Sequence, residues 1–200
     1  VGFEVREGET VAVRGQNGSG KSTTLSLVAG ACHPTEGRVS VRGRIAPMLA
    51  LGVGFEPDMT APENAYVNAS LLGVSREELS ERLEVILRFA ELGDFVDTPV
   101  RHFSTGMTAR LGFAVAMHVD ADILLVDEVL AVGDGAFQTK CLARIRELHD
   151  EGRTMLFVTH DLAAAREICT RGIWIREGEI AVDAPIEECL AEYQAFLDQR

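Results

Sequence analysis

The sequence is short of positive charge, of paired cysteines and of long apolar runs, and each shortage excludes something. Nineteen Lys and Arg stand against 31 Asp and Glu, a formal net charge of −12. Such a surface argues against a nucleic-acid partner, because duplex binding needs a basic footprint. It also disfavours broad adhesion to anionic lipid. The four cysteines, Cys32, Cys141, Cys169 and Cys189, are scattered and form no C-x-x-C pair. That spacing disfavours a metal site and a disulfide framework, and it predicts reduced thiols in a cytosolic protein. No signal-peptide pattern is visible, and no apolar run approaches the length of a membrane span. There is no internal repeat and no low-complexity tract. The chain starts at Val1 and almost at once enters a strand-like segment, so a preceding segment is expected.

What is present suits one globular domain of 200 residues, 46% of them hydrophobic. Its organising stretch is Gly15-Gln16-Asn17-Gly18-Ser19-Gly20-Lys21-Ser22. This matches G-x-x-x-x-G-K-[ST] without a mismatch. Thr10 to Arg14 before it alternates like a strand, and Ser22 to Ala29 after it reads as a helix closed by Gly30. Strand, glycine loop and helix are what phosphate binding needs. Inward-turned backbone N–H groups ring the phosphate, and the helix N-terminus adds a favourable dipole. Lys21 can reach the β- and γ-phosphates, and the Ser22 hydroxyl can ligate Mg²⁺.

Phe3 to Val5 and Thr10 to Arg14 are expected as two strands joined by a polar turn, with Arg38 to Val41 as an edge strand. Ile45 to Phe55 reads as a strand followed by an irregular loop. From about Pro57 to His118 the pattern turns helical. Glu63 to Leu72 is one helix, and Glu77 to Leu92 is a clearer one, with Ser75 and Glu78 forming a capping box. A third helix runs from Thr105 or Gly106 to Met117. The strand pattern then returns at Ile123 to Val126 and Thr154 to Thr159, with helices over Gly135–Asp150 and Leu162–Cys169. Ile173–Arg176 and Glu179–Val182 flank Glu177-Gly178 as a hairpin. Pro185 is expected to start a final helix. The fold class is therefore α/β, a P-loop core carrying an N-terminal antiparallel β part and a helical insertion over about residues 57–118.

Three more stations carry chemistry. Ile123 to Val126 is followed by Asp127 and Glu128. A carboxylate leaving a buried strand beside a phosphate loop can hold Mg²⁺ through water, the role assigned to Asp127. Glu128 can polarise an attacking water. Thr159-His160-Asp161 ends the next strand, where His160 can hydrogen-bond a γ-phosphate. Phe103-Ser104-Thr105-Gly106-Met107 puts Ser and Gly at a helix start, which is a capped helix by itself and an anion site in company.

Taken in order, phosphate loop, helical stretch, Ser104–Gly106 segment, Asp127-Glu128 strand, Asp134 and His160, the chain resembles the ATP-binding subunit of an ABC transporter over essentially its whole length. The segment Phe103–Met107 departs from the common Leu-Ser-Gly-Gly-Gln signature at Phe103, Thr105 and Met107 and keeps Ser104 and Gly106. That variant, with Glu128 to Asp134 and Phe137-Gln138-x-Lys140-Cys141, is similar to bacterial exporters of O-antigen, capsule, teichoic acid or galactan chains. Leu51 to Phe55, Glu63-Asn64 and Glu91 to Phe95 share the likeness. The glutamine that many members place between core and insertion is absent, and Ala50 stands near its place.

The resemblance implies one nucleotide-binding domain over residues 1–200 with ATP and Mg²⁺ as ligands. Gly15, Asn17, Gly18, Ser19, Gly20, Lys21, Ser22 and Thr23 would hold ATP, and Ser104, Thr105, Gly106 and Asp134 would contact it from a second copy. Ser22 and Asp127 would hold the metal, with Glu128 and His160 catalytic. It implies a head-to-tail homodimer across two ATP, a multi-span permease partner, no lipid insertion, and a peripheral place on the cytoplasmic face of the inner membrane. The aromatic residue that stacks on adenine is expected before the first strand seen here. A transporter of another cargo, and a soluble ABC-type ATPase outside transport, are the competing readings.

Overall fold

The computed structural model describes residues 1–48, 51–127, 133–159 and 161–198. A six-stranded sheet organises it, in the order β2-β3-β4-β1-β5-β6. The strands are β1 (Thr10–Arg14), β2 (Ile45–Met48), β3 (Ile123–Val126), β4 (Thr154–Val158), β5 (Arg171–Arg176) and β6 (Glu179–Pro185). All ladders are parallel except β5 with β6. β1, the strand that delivers the phosphate loop, is buried at every residue and lies between β4 and β5. β2 forms one edge, the position where Pro47 withholds no ladder hydrogen bond.

Alternation sends neighbouring residues of these strands to opposite faces. Val11, Val13, Leu125, Leu156, Val158, Ile173 and Ile175 pack with Leu25 of helix α1 (Lys21–Val28). Ala12, Leu124, Val126, Met155 and Phe157 face a larger core. That core takes in α2 (Ala61–Leu71), α3 (Arg76–Ala90), α4 (Thr105–His118), α5 (Gly135–Asp150) and α6 (Leu162–Ile168). Phe113 and Phe137 are fully enclosed there and meet edge to face, with centroids 6.2 Å apart. The last helix, α7 (Ile186–Asp198), packs Cys189 and Tyr193 on Trp174 of β5.

The capping expectations hold. Ser75 Oγ accepts from Glu78 N at 3.2 Å, and the Glu78 carboxylate accepts from Ser75 N at 2.8 Å, closing both ends of the box. α2 starts the same way, the Glu63 carboxylate accepting from Thr60 N at 2.8 Å. The C-terminal hairpin is also as expected. Glu177 at φ 51° and Gly178 at φ 81° form the left-handed pair that joins β5 to β6.

The N-terminal antiparallel part differs. Residues 3–5 and 38–41 join no ladder, and the antiparallel pairing lies at the other end of the chain, in β5 and β6. Phe3 and Val5 do pack on the Val11–Val13 face, so their alternation reports a buried side rather than a bonded neighbour. Val39 and Val41 are 43% and 36% exposed. Pro185 closes β6, and α7 begins one residue later.

Candidate functional site

The phosphate loop leaves the carboxyl end of β1 and turns into α1. Its geometry depends on Gly15. A Cβ there would lie 2.4 Å from the Ile175 carbonyl oxygen and 2.4 Å from Ser19 Oγ. The loop is braced internally by Ser19 N donating to the Gln16 carbonyl at 3.1 Å. It is braced from outside by the hairpin turn, where Gly178 N donates to the Ser19 carbonyl at 3.1 Å. Lys21 is only 7% exposed and folds back over the loop. Its Nζ donates to the carbonyls of Gly15 at 2.8 Å and Gln16 at 3.0 Å. Those bonds hold the ammonium at the loop mouth. The first turn of α1 carries no acid that would oppose an incoming anion.

An open cleft of about 490 Å³ lies over this loop, lined by Asn17, Gly18, Gly20, Lys21, Ser22, Thr23 and Asp127. The fold thus brings Asp127, at the exit of β3, to a loop more than a hundred residues earlier. Ser22 Oγ donates toward Asp127 Oδ2 at 3.4 Å. A hydroxyl and one carboxylate side by side suit Mg²⁺, which takes few protein oxygens and fills its shell with phosphate and water. Among the described residues no group of three or more His, Cys, Asp and Glu could hold a metal without such help. Ser19 is buried and, like Gly15, is not among the residues that line the cleft.

The other expected residues divide. Glu128 and His160 lie outside the described residues, as does Ala50. Ser104, Thr105 and Gly106 open α4 and do not line the cleft. Ser104 caps that helix, its Oγ accepting from Met107 N at 3.2 Å, and Ser104 and Thr105 are exposed. Asp134 caps α5, its Oδ1 accepting from Phe137 N at 3.0 Å, and also stands away from the cleft lining. The Phe137 N–H, with the Arg110 guanidinium beside it, holds its carboxyl below the usual carboxylate range.

Sequence reasoning missed what joins these pieces. Arg110 of α4 reaches Asp134 at 2.9 Å and Glu91 at 3.6 Å, while its guanidinium stacks over Phe137. Lys140 of α5 reaches the same Glu91 at 2.7 Å and the Phe89 carbonyl at 3.0 Å. The end of α3, the body of α4 and the start of α5 are thereby cross-tied. No spacing in the sequence pairs residues from three separate elements. The brace from Gly178 was equally hidden, since a hairpin turn carries no mark of what it leans on.

A family profile described as ABC transporter matches residues 1–131. Among curated proteins, the O-antigen export system ATP-binding protein RfbB of Klebsiella pneumoniae is 50% identical over 97% of this chain and 79% of its own length. The ABC transporter protein AbcA of Aeromonas salmonicida is 42% identical over 96% of this chain and 63% of its own length. The teichoic acids export ATP-binding protein TagH of Bacillus anthracis is 38% identical over 98% of this chain and 36% of its own length. Among solved structures, the ATP-binding subunit of an ABC transporter aligns with TM-score 0.83 at 26% identity, covering 96% of this chain and 85% of that one. A post-hydrolysis dimer of the ATP-binding cassette MJ0796 with ADP and phosphate aligns with TM-score 0.77 at 27% identity, covering 92% and 88%.

Proposed function

The chain belongs to the ABC transporter family, and from that membership we propose that it binds and hydrolyses ATP to power export of a polysaccharide or lipid-linked glycan through a separate membrane permease. The observation that carries the reading is the cleft that joins Lys21, Ser22 and Asp127. Backbone N–H groups of the loop and Lys21 would grip the β- and γ-phosphates. Ser22 and Asp127 would hold Mg²⁺, which when bound neutralises charge developing on the phosphate oxygens. Glu128 would orient and polarise the attacking water, and His160 would hydrogen-bond the γ-phosphate. Relatives that align with nearly the whole chain export O-antigen and teichoic acids, which supports a glycan as cargo.

Each ATP would be completed by a second copy, packed head to tail, whose Ser104, Thr105 and Gly106 supply a capped helix start. In support, Ser104 and Thr105 are exposed, all three residues stand away from their own chain's cleft, and a structural neighbour is a nucleotide-bound dimer. Asp134 would meet the same interface. Residues 57–118 would act as a helical insertion within one nucleotide-binding unit. It would pass closure to the permease through the loop from Ala50 to Pro57. Among the described residues no helix is long and apolar enough to cross a membrane. A peripheral place on the cytoplasmic face, docked on the permease, fits that finding.

The test is ATP turnover by the purified chain and by its complex with the membrane permease that co-purifies with it. Lys21→Ala should abolish turnover and leave the surface of the producing cell without its glycan. Glu128→Gln should keep ATP binding, favour the dimer and stop hydrolysis. Undiminished hydrolysis by Glu128→Gln would remove Glu128 from its role. A wild-type chain that hydrolyses ATP while a permease-loaded vesicle gains some other cargo would overturn the glycan reading alone.

A further inference from the structure

Arg14 is a buried charge for which phosphate binding gives no reason. It is the last residue of β1, directly before Gly15, and is 5% exposed. Alternation turns it to the face opposite Val13, toward α7. There its guanidinium lies over the Tyr193 ring, 5.1 Å from the centroid, and one arm donates to the Thr159 carbonyl. Tyr193 is 6% exposed and is itself wedged against Trp174, ring centroids 5.6 Å apart. A buried guanidinium is tolerated only where it is paired and hydrogen-bonded, so this arrangement is specific rather than incidental.

Its second end matters for chemistry. Thr159 precedes His160 in the sequence. Thr159 Oγ1 accepts from Asp161 N at 3.0 Å, and the Asp161 carboxylate caps α6 through Ala163 N at 2.8 Å and Ala164 N at 3.1 Å. The backbone is thus held at 159 by Arg14 and at 161 by its own cap. We infer that Arg14, seated on Tyr193, is a positioning residue for ATP hydrolysis: it ties the exit of β4 to the exit of β1 and makes the C-terminal helix α7 part of the hydrolytic apparatus. The inference rests on the ATPase reading above.

Tyr193→Leu removes the seat, Tyr193→Phe keeps it, and Arg14→Lys keeps the charge without the planar fork. Steady-state hydrolysis, nucleotide affinity and thermal melts are measured on all three beside the wild type. Tyr193→Leu and Arg14→Lys should each lower kcat by about tenfold, the size of a small misplacement near the reacting groups, with KM for ATP little changed. Tyr193→Phe should match the wild type. If Tyr193→Leu does not fold, Arg14→Lys against Tyr193→Phe decides the matter. Full kcat in either folded loss variant, or loss of melting temperature alone, overturns the inference. A wild-type chain that does not turn over ATP defeats the underlying reading instead.

Discussion

Replacing Gly15 by Ala should damage this protein more than replacing Gly18, although both belong to the same loop. At Gly15 the added methyl would lie 2.4 Å from the Ile175 carbonyl oxygen and 2.4 Å from Ser19 Oγ. The hydroxyl can rotate away. The carbonyl cannot, because Ile175 is paired with Ile180 in the β5–β6 ladder. The methyl must therefore push the loop off the hairpin, and overpacking of this kind costs about 3 kcal/mol, the upper end of its usual range. At Gly18, φ is 77° but nothing lies within 4 Å of a new Cβ, so the left-handed backbone alone costs about 1 kcal/mol. For a domain of this size those figures become melting-point losses of about 6–12 °C and about 2–4 °C. Thermal unfolding followed by circular dichroism reads both, and a fluorescent ATP analogue reads the loop directly. Gly15→Ala should also lose nucleotide binding, since the shift moves the N–H groups that face phosphate. A Gly15→Ala protein that melts with the wild type, or a Gly18→Ala protein that falls as far, would refute the contact argument.

Three further outcomes are expected. Ser75→Ala removes the Oγ that accepts from Glu78 N while keeping the backbone N–H that donates to the Glu78 carboxylate, and should cost about 1 kcal/mol of stability by denaturant titration, with ATP turnover unchanged. Asp183 is gripped by Arg171 at 2.5 and 2.7 Å, and that hydrogen bonding lowers its pKa. Its contribution is then full above the ordinary carboxylate value and is lost as pH falls through the depressed one, so Asp183→Asn should melt below the wild type at pH 7 and converge with it in acid. Burial raises the thiols of Cys141 and Cys169 to about 12 and of Cys189 to about 11, while Cys32 is exposed. A maleimide titration at pH 7.5 should therefore label the native chain once, at Cys32, and fully only in denaturant.

How much of this was legible beforehand depends on whether the determinant is local. The phosphate loop, its flanking strand and helix, and the box at Ser75 and Glu78 are written within a few residues, and each was readable. The meeting of Ser22 with Asp127 was inferable because a family pattern orders the stations, although no local rule brings them together. Strand pairing was not legible at 3–5 or 38–41, since alternating apolar residues define a face and leave the neighbour open. Nothing local to β1 marks Arg14 for burial. Its burial depends on Tyr193 and Thr159, which β1 does not announce. The Arg110–Asp134–Glu91–Lys140 ties were hidden for the same reason: charges on three elements pair only after the helices have packed.

The placement of β1 between β4 and β5 has a consequence for how the protein is made. Arg14 and Thr159 are 145 residues apart in the chain, and Val13 finds its other neighbour, Ile173, later still. The strand that carries the phosphate loop leaves the ribosome well before either of its partners, β4 and β5. Closing so long a loop is slow and entropically expensive compared with forming the helices in between. During synthesis the nascent chain would hold an apolar strand and a glycine-rich loop with nothing to anchor them. A truncated product ending before β5 should therefore fail to retain nucleotide even though it contains every residue of the loop, and it should be a substrate for chaperones and proteases.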